Sequence, residues 1–269
     1  MKQKKQFGPG TRKFRLTGNS APAILISDLH LTPESPETLT HFHRFLGSLG
    51  NIDSLYVLGD LFEYWLGDDA GETLGHAPVE DALKDLTNVG TPIRVMPGNR
   101  DFLIGQEFAY RTGSTILTDA TVQPFFGWKV LLLHGDSLCT DDEAHQKFRS
   151  IVDQPEWRSA FLGKSITERD DIGRAIRFRS NIEKRYKASR IMDVNQYAVE
   201  MALKSTEVQI LIHGHTHRPG IHQWTKNGHT FSRVVLGDWS MGPSWIEFHE
   251  TNLQLHYQGT VEQLDLNQI

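Results

Sequence analysis

The 269-residue chain has a single cysteine, Cys139. One thiol excludes an internal disulfide framework and any zinc site built from several cysteines. It suits a reducing cytosol. No apolar run approaches the roughly 18 residues that a membrane-spanning helix needs. There is no surplus of positive charge either. The formal net charge is -5, which argues against a uniformly basic nucleic-acid coat. The six tryptophans are scattered rather than striped, so no stacking platform for single-stranded nucleic acid is expected. Gly and Pro, 23 and 11 residues, are too few for a collagen or low-complexity chain. Hydrophobic residues at 38% and charged residues at 23% leave enough apolar material for the core of one large domain.

Residues 1–20 lack acidic side chains and carry Lys2, Lys4, Lys5, Arg12, Lys13 and Arg15. No apolar segment of roughly 7–15 residues follows, so a signal peptide is not expected. Residues 1–22 read as a basic tail or early edge strand before a domain over 23–269, or as a segment attracted to anionic lipid headgroups.

What the chain does have is 13 histidines, several beside Asp and Gly, and a repeated grammar. Short apolar runs at 23–26, 55–58, 93–96, 130–133, 208–212 and 234–236 each end in a polar cluster. Runs of that length read as buried strands. Residues 37–49 and 79–89 have helical character between them, so the class expected is α/β. In such sheets sites form at the carboxyl ends of strands, where these clusters fall. Residues 141–190 break the grammar and read as helices interrupted at Pro155 and Gly163. We expect a helical insertion at about 141–200, a lid packed over the strand ends. Within it, residues 172–190 hold seven basic residues against one acid, Glu183.

The clusters carry metal-ligand chemistry. Asp28-x-His30 sets a carboxylate and an imidazole two residues apart, on one side of an extended chain. His215-x-His217 repeats that spacing. Asp60 has two oxygens and is able to bridge two ions. Asn99 offers an amide oxygen, and His134 ends another run. Mixed N/O donors without thiolate point to Mn²⁺, Fe or Zn²⁺. Singly, each residue has an ordinary explanation: a buried imidazole, a helix cap, a turn. Together they would hold two ions able to lower the pKa of a shared water. Arg100 presents a planar fork suited to phosphate, or pairs with Asp101. Cys139 reads as a small buried residue. Asp136 and Asp238 read as groups that orient imidazoles or loops.

Asp28-x-His30, Gly59-Asp60, Gly98-Asn99-Arg100-Asp101, His134-Gly135-Asp136 and Gly214-His215-Thr216-His217 resemble, in order and spacing, the five motifs of calcineurin-like metallophosphoesterases. The resemblance implies a four-layer α/β/β/α sandwich. It also implies one ion on Asp28, His30, Asp60 and His217, and a second on Asp60, Asn99, His134 and His215. Residues 58–63, 138–142, 191–195 and His217-Arg218-Pro219 are similar to one branch of that family, the Mn²⁺-dependent diphosphatases of lipid A biosynthesis in Gram-negative bacteria. That likeness implies hydrolysis of UDP-2,3-diacylglucosamine at the α phosphorus, giving UMP and 2,3-diacylglucosamine 1-phosphate. It implies catalytic roles for Asp60, Asn99, Arg100 and His215. Substrate contacts would fall on Asn99, Arg100, Asp142, Ser180, Lys184, Lys187 and His215. The pattern departs at 184, where the family has Asn and this chain has Lys, which cannot accept a hydrogen bond.

The partner expected is therefore a lipid-linked nucleotide sugar, with no nucleic acid and no obligate protein partner. The basic insertion favours peripheral contact with an anionic membrane, at the cytoplasmic face of the inner membrane. Phe161, Leu162, Ile166, Ile172, Ile176 and Phe178 either line an acyl groove or seat the insertion on the domain. The alternatives are a metallophosphoesterase for another phosphodiester or nucleotide, and a metal-free scaffold.

Overall fold

The apolar runs become the central strands of two sheets in the computed structural model, which describes residues 20–186 and 189–269. Residues 1–19 and 187–188, and the side chains of 179–190, lie outside the described residues. The basic N-terminal segment therefore falls outside them, as do Lys187 and the side chains of Ser180 and Lys184.

The chain opens with an α/β alternation. Strand β1 (Ala23–Ile26) leads to α1 (Pro36–Ser48), β2 (Ser54–Leu58), α2 (Ala77–Asn88), β3 (Ile93–Met96), α3 (Gln106–Thr112) and the short edge strand β4 (Thr115–Ile116). All four strands are parallel. Hairpin β5 (Thr121–Phe125) and β6 (Trp128–Leu132) starts the second sheet. Helices α4 (Glu143–Val152), α5 (Pro155–Leu162) and α6 (Ile166–Tyr186) follow, then α7 (Gln196–Thr206), β7 (Ile210–His213), β8 (Gly220–Lys226) and β9 (His229–Val235). Strands β10 (Trp245–Phe248), β11 (Asn252–Tyr257) and β12 (Thr260–Asp265) return to the first sheet. The orders are β12-β11-β10-β1-β2-β3-β4 and β5-β6-β7-β9-β8.

Alternation along each strand builds the layers. Ile24, Ile26, Leu55, Val57, Ile93 and Val95 face the helices, packing on Phe42, Phe45, Val79, Leu83 and Phe108. Their neighbours Leu25, Tyr56, Leu58 and Met96 face the other sheet, against Val130, Leu132, Ile210, Ile212 and Val234. On its far side the second sheet turns Leu131, Leu133 and Leu211 to Val199 and Leu203 of α7. Strands buried on both faces have little polar side to show, which is why they read as near-continuous apolar runs, broken in β3 only by Arg94. The result is the four-layer α/β/β/α sandwich. Strands β8 and β10–β12 were not singled out by apolar run length. They are antiparallel and half-buried, and their apolar residues alternate with polar ones, as with Leu253 and Leu255.

Helix ends follow local chemistry. Proline starts α1, α2 and α5, where its fixed φ suits the first turn. Asp142 accepts from the His145 N–H at 3.0 Å and caps α4. Gly163 closes α5. Phe161 is buried in the first core, and Trp157, Ile166 and Ile172 pack against it, so these residues seat α5 and α6 on the sandwich. Leu162 and Phe178 point outward, at 41% and 71% exposure.

Candidate active site

Each metal-ligand candidate follows the carboxyl end of a parallel strand: Asp28 after β1, Asp60 after β2, Asn99 after β3, His134 after β6, and His215 and His217 after β7. The two sheets face each other, so their loops meet along one rim. The backbone there is not extended, contrary to the alternation argued from the Asp-x-His and His-x-His spacings. Asp28, His30, Asp60, His215 and His217 all have left-handed φ, between 51° and 64°. Non-glycine residues rarely hold that region, and clusters of them mark functional sites. The ligands converge because tight loops fold back, not because a strand continues.

Backbone bonds lock those loops together. The Asp28 N–H donates to the Gly59 carbonyl at 3.1 Å, that of His30 to Asp60 at 2.9 Å, and that of Leu31 to Leu61 at 2.9 Å. Asp101 is fully buried and accepts from the N–H groups of Gly98 (2.7 Å), Leu61 (2.8 Å), Asp60 (3.2 Å) and Phe62 (3.3 Å). It is thus a loop organiser rather than the partner of Arg100. Burial, with Asp60 nearby, pushes its carboxyl up to about 6. Glycine is required at Gly98, because an added Cβ would collide with the Asp60 carboxylate and backbone nitrogen.

The donor atoms gather in two overlapping groups. In the first, His30 Nε2 and His217 Nε2 lie 3.3 Å apart, and His217 Nε2 lies 3.3 Å from Asp28 Oδ1. In the second, Asn99 Oδ1 lies 3.0 Å from His134 Nε2 and 2.8 Å from His215 Nδ1. Asp60 joins them, with Oδ2 3.9 Å from His30 Nε2 and Oδ1 3.6 Å from His134 Nε2. Asp28, His30 and His217, and likewise Asp28, Asp60 and His134, offer atoms all within 4.8 Å of one another. Asp28 Oδ1 is buried and makes no well-aligned hydrogen bond, even to His217 Nε2 at 3.3 Å, an arrangement that is unfavourable without a cation. The residues present fit divalent metal ions.

Outer partners aim these rings. The Leu58 carbonyl lies 2.9 Å from His134 Nδ1, leaving Nε2 for the cluster. Asp238 Oδ2 lies 3.4 Å from His217 Nδ1. Asp136 instead faces His145, at 3.4 Å, and Arg149, at 3.6 Å. The electrostatics follow. Burial lowers the pKa of His217, but Asp238 and Asp28 outweigh it and raise it to about 10. Burial likewise opposes the charge on His134, and Asp60, Asp28 and Asp136 lift it to about 9. Both imidazoles therefore sit in a field that favours added positive charge. The Cys139 thiol is pushed up to about 12 by burial and by Asp136, Asp193 and Asp142, which makes it a poor nucleophile.

Arg100 and Asp142 line one cavity with His30, Asp60, Asn99 and His215. The backbone N–H of Arg100 donates to Asp60 Oδ1 at 2.8 Å, and its guanidinium lies 3.9 Å from Glu63. Sequence reasoning passed over Glu63, although it stood in the stretch 58–63 already noted. It also passed over His145, whose ring centroid lies 5.4 Å from that of His215. A second cavity, of about 480 Å³, lies between the sandwich and α4–α6. Leu66, Phe102, Phe148, Trp157, Phe161 and Ile176 line it, and it opens on Asn99 and Arg100. Ile176 is thus the one described residue of the expected groove set, besides Phe161, that lines an apolar cavity. In the basic stretch, Arg174 pairs with Asp170 at 2.9 Å and Arg177 pairs with Glu63.

A family model described as calcineurin-like phosphoesterase matches residues 21–219. The UDP-2,3-diacylglucosamine hydrolase of Aromatoleum aromaticum is 49% identical over 218 residues, covering 81% of this chain and 89% of that protein. The protein of the same name from Chromohalobacter salexigens is 43% identical, covering 82% and 90%. That of Escherichia coli O81 is 42% identical, covering 86% and 97%.

Proposed function

The chain belongs to the calcineurin-like phosphoesterase family, and from that premise we propose that it hydrolyses UDP-2,3-diacylglucosamine to UMP and 2,3-diacylglucosamine 1-phosphate. The observation that carries the reading is the apolar cavity of about 480 Å³ beside the ligand cluster. A soluble nucleotide has no use for it, whereas an acylated sugar attached to a diphosphate needs an apolar space next to a polar centre. The names of the relatives agree.

Asp28, His30, Asp60 and His217 would hold one divalent ion, and Asp60, Asn99, His134 and His215 the other. When bound, such ions lower the pKa of water and stabilise charge on phosphoryl oxygens. Manganese suits this mixed nitrogen and oxygen set without thiolate. Arg100, with its backbone nitrogen tied to Asp60, sets a guanidinium at the mouth of the cavity to grip the diphosphate. Asn99, Asp142 and His215 line one cavity and would contact the substrate there; Ser180, Lys184 and Lys187 of the basic stretch are proposed as further contacts, their side chains lying outside the described residues. Helices α4–α6 act as a lid that excludes water from the acyl chains and orients the phosphorus nearer the uridine toward the cluster. The leaving group is then an ionised phosphate, which needs no strong acid behind it.

The protein docks peripherally on the cytoplasmic face of the inner membrane. Support comes from Ile151, Leu162 and Phe178, exposed on α4, α5 and α6 at 45%, 41% and 71%. No helix among the described residues is long and apolar enough to cross a membrane.

The test is hydrolysis of UDP-2,3-diacylglucosamine with added Mn²⁺ in ¹⁸O-labelled water. The expected result is label in UMP and none in the lipid phosphate. Turnover of a generic phosphodiester with none of the lipid substrate would overturn the substrate assignment.

A further inference from the structure

Glu63 stands where three elements meet. The loop after β1 and the loop after β2 run side by side, with a single parallel bridge between Leu31 and Phe62. The Glu63 N–H closes that zipper on the Leu31 carbonyl at 3.0 Å. This register sets the Glu63 side chain beside His30. Its Oε2 lies 3.1 Å from His30 Nδ1. Its Oε1 takes the guanidinium of Arg177, which comes from α6, 114 residues along the chain. The same guanidinium lies over the ring of Tyr64, 5.0 Å from its centroid. Glu63 and Arg177 together form the wall between the apolar cavity and an open groove beside Asp28 and His30.

We infer that Glu63 is a positioning residue that fixes the tautomer and ring orientation of His30, and that Arg177 makes this grip depend on the seating of α6. The inference rests on the metal-site reading of His30. A carboxylate 3.1 Å from Nδ1, close enough to pair with it though not aligned as a hydrogen bond, favours the proton on that nitrogen and leaves the Nε2 lone pair free. That Nε2 is the atom aimed at His217 Nε2, at 3.3 Å, and at Asp60 Oδ2, at 3.9 Å. Arg177 occupies the other oxygen, so the carboxylate cannot swing away without breaking an ion pair and leaving the face of Tyr64. Removal of α6 from its seat frees the carboxylate, and with it the His30 ring. An ordinary ion pair between a loop and a helix would leave His30 indifferent to both residues.

The experiment is Mn²⁺ titration of the full-length protein and of Glu63→Gln, Arg177→Met and the double variant. Glu63→Gln is expected to weaken the affinity of one site by about 10-fold or more, the usual effect of losing a carboxylate behind a metal-bound imidazole. Arg177→Met is expected to weaken it by about 3-fold, and to have no further effect when Glu63 is already Gln, the signature of coupled residues. In parallel, imidazole ¹⁵N NMR of the metal-free protein should show His30 protonated at Nδ1 in the natural chain and a shift toward Nε2 in Glu63→Gln. Unchanged affinity and an unchanged His30 tautomer in Glu63→Gln would overturn the inference. So would an Arg177→Met effect of equal size in both backgrounds. Should Glu63→Gln fail to fold, Glu63→Asp, whose shorter reach draws the carboxylate from His30, carries the same readouts. Failure of the natural chain to bind Mn²⁺ at all would overturn the metal-site reading itself, and that is seen before any variant is made.

Discussion

His30 and His217 face one another through their Nε2 atoms, 3.3 Å apart. A carboxylate lies beside Nδ1 of each ring, Glu63 at 3.1 Å from His30 and Asp238 at 3.4 Å from His217, which leaves the facing Nε2 atoms as the donors on offer to a cation. Two nitrogen lone pairs at that distance repel unless a proton or a metal cation lies with them.

Metal binding should therefore stabilise the fold as well as enable chemistry. Adding Mn²⁺ at about 100 times its dissociation constant is expected to raise the unfolding free energy by about 2.7 kcal/mol. His217→Ala should lose most of that gain. Calorimetry with and without chelator measures both.

Asp60 is the residue on which both groups depend, with one oxygen 3.6 Å from His134 and the other 3.9 Å from His30. Asp60→Ala is expected to reduce kcat on the order of 10³-fold, since loss of an ion removes several kcal/mol of transition-state stabilisation. Metal content and hydrolysis rate, measured on one preparation, decide whether the loss follows the metal.

The apolar cavity gives a test of substrate class that spares the metals. Ile176 lines it from α6 and is not one of the candidate metal ligands. Ile176→Trp should fill the space and raise KM for the diacylated substrate by about 10-fold or more, as overfilling costs about 1–3 kcal/mol. Hydrolysis of a small phosphodiester should be unchanged. Equal effects on both substrates would sever the cavity from acyl recognition.

His76 sets one limb of the stability profile. Its ring is 2% exposed and sits 4.5 Å from Phe62 and 5.5 Å from Trp65, centroid to centroid. Burial lowers its pKa from 6.5 to about 4. Between those values the unfolded chain binds a proton that the folded one refuses, so stability falls as pH drops from 6.5 toward 4. The full effect is on the order of 3 kcal/mol. Denaturant unfolding across that range should show a shallower decline in His76→Phe than in the natural chain.

Several features were legible in the linear chain for a definite physical reason. Strands buried on both faces are mostly apolar, so the run at 23–26 coincides with β1, and the run at 93–96, interrupted only by the half-buried Arg94, coincides with β3. Helices 37–49 and 79–89 lie within a residue or two of α1 and α2. The breaks at Pro155 and Gly163 mark the two ends of α5, because proline starts helices and glycine ends them. Half-buried antiparallel strands such as β11 left only an alternating trace, which a search for continuous runs passes over.

By itself, the order of residues determined the chemistry on offer: carboxylates, imidazoles and an amide oxygen, each placed just after an apolar run, with no thiolate among them. It also determined the family, since those donors recur in one order and spacing. Only the tertiary structure decided how they meet. The left-handed backbone at Asp28, His30, Asp60, His215 and His217 arises from hydrogen bonds between loops distant in sequence, as does the burial of Asp101 under four backbone N–H groups. The contact of Glu63 with Arg177 joins positions 114 residues apart. Such pairings depend on how two sheets and a helical layer close over one rim, and side-chain identity constrains that closure without recording it locally.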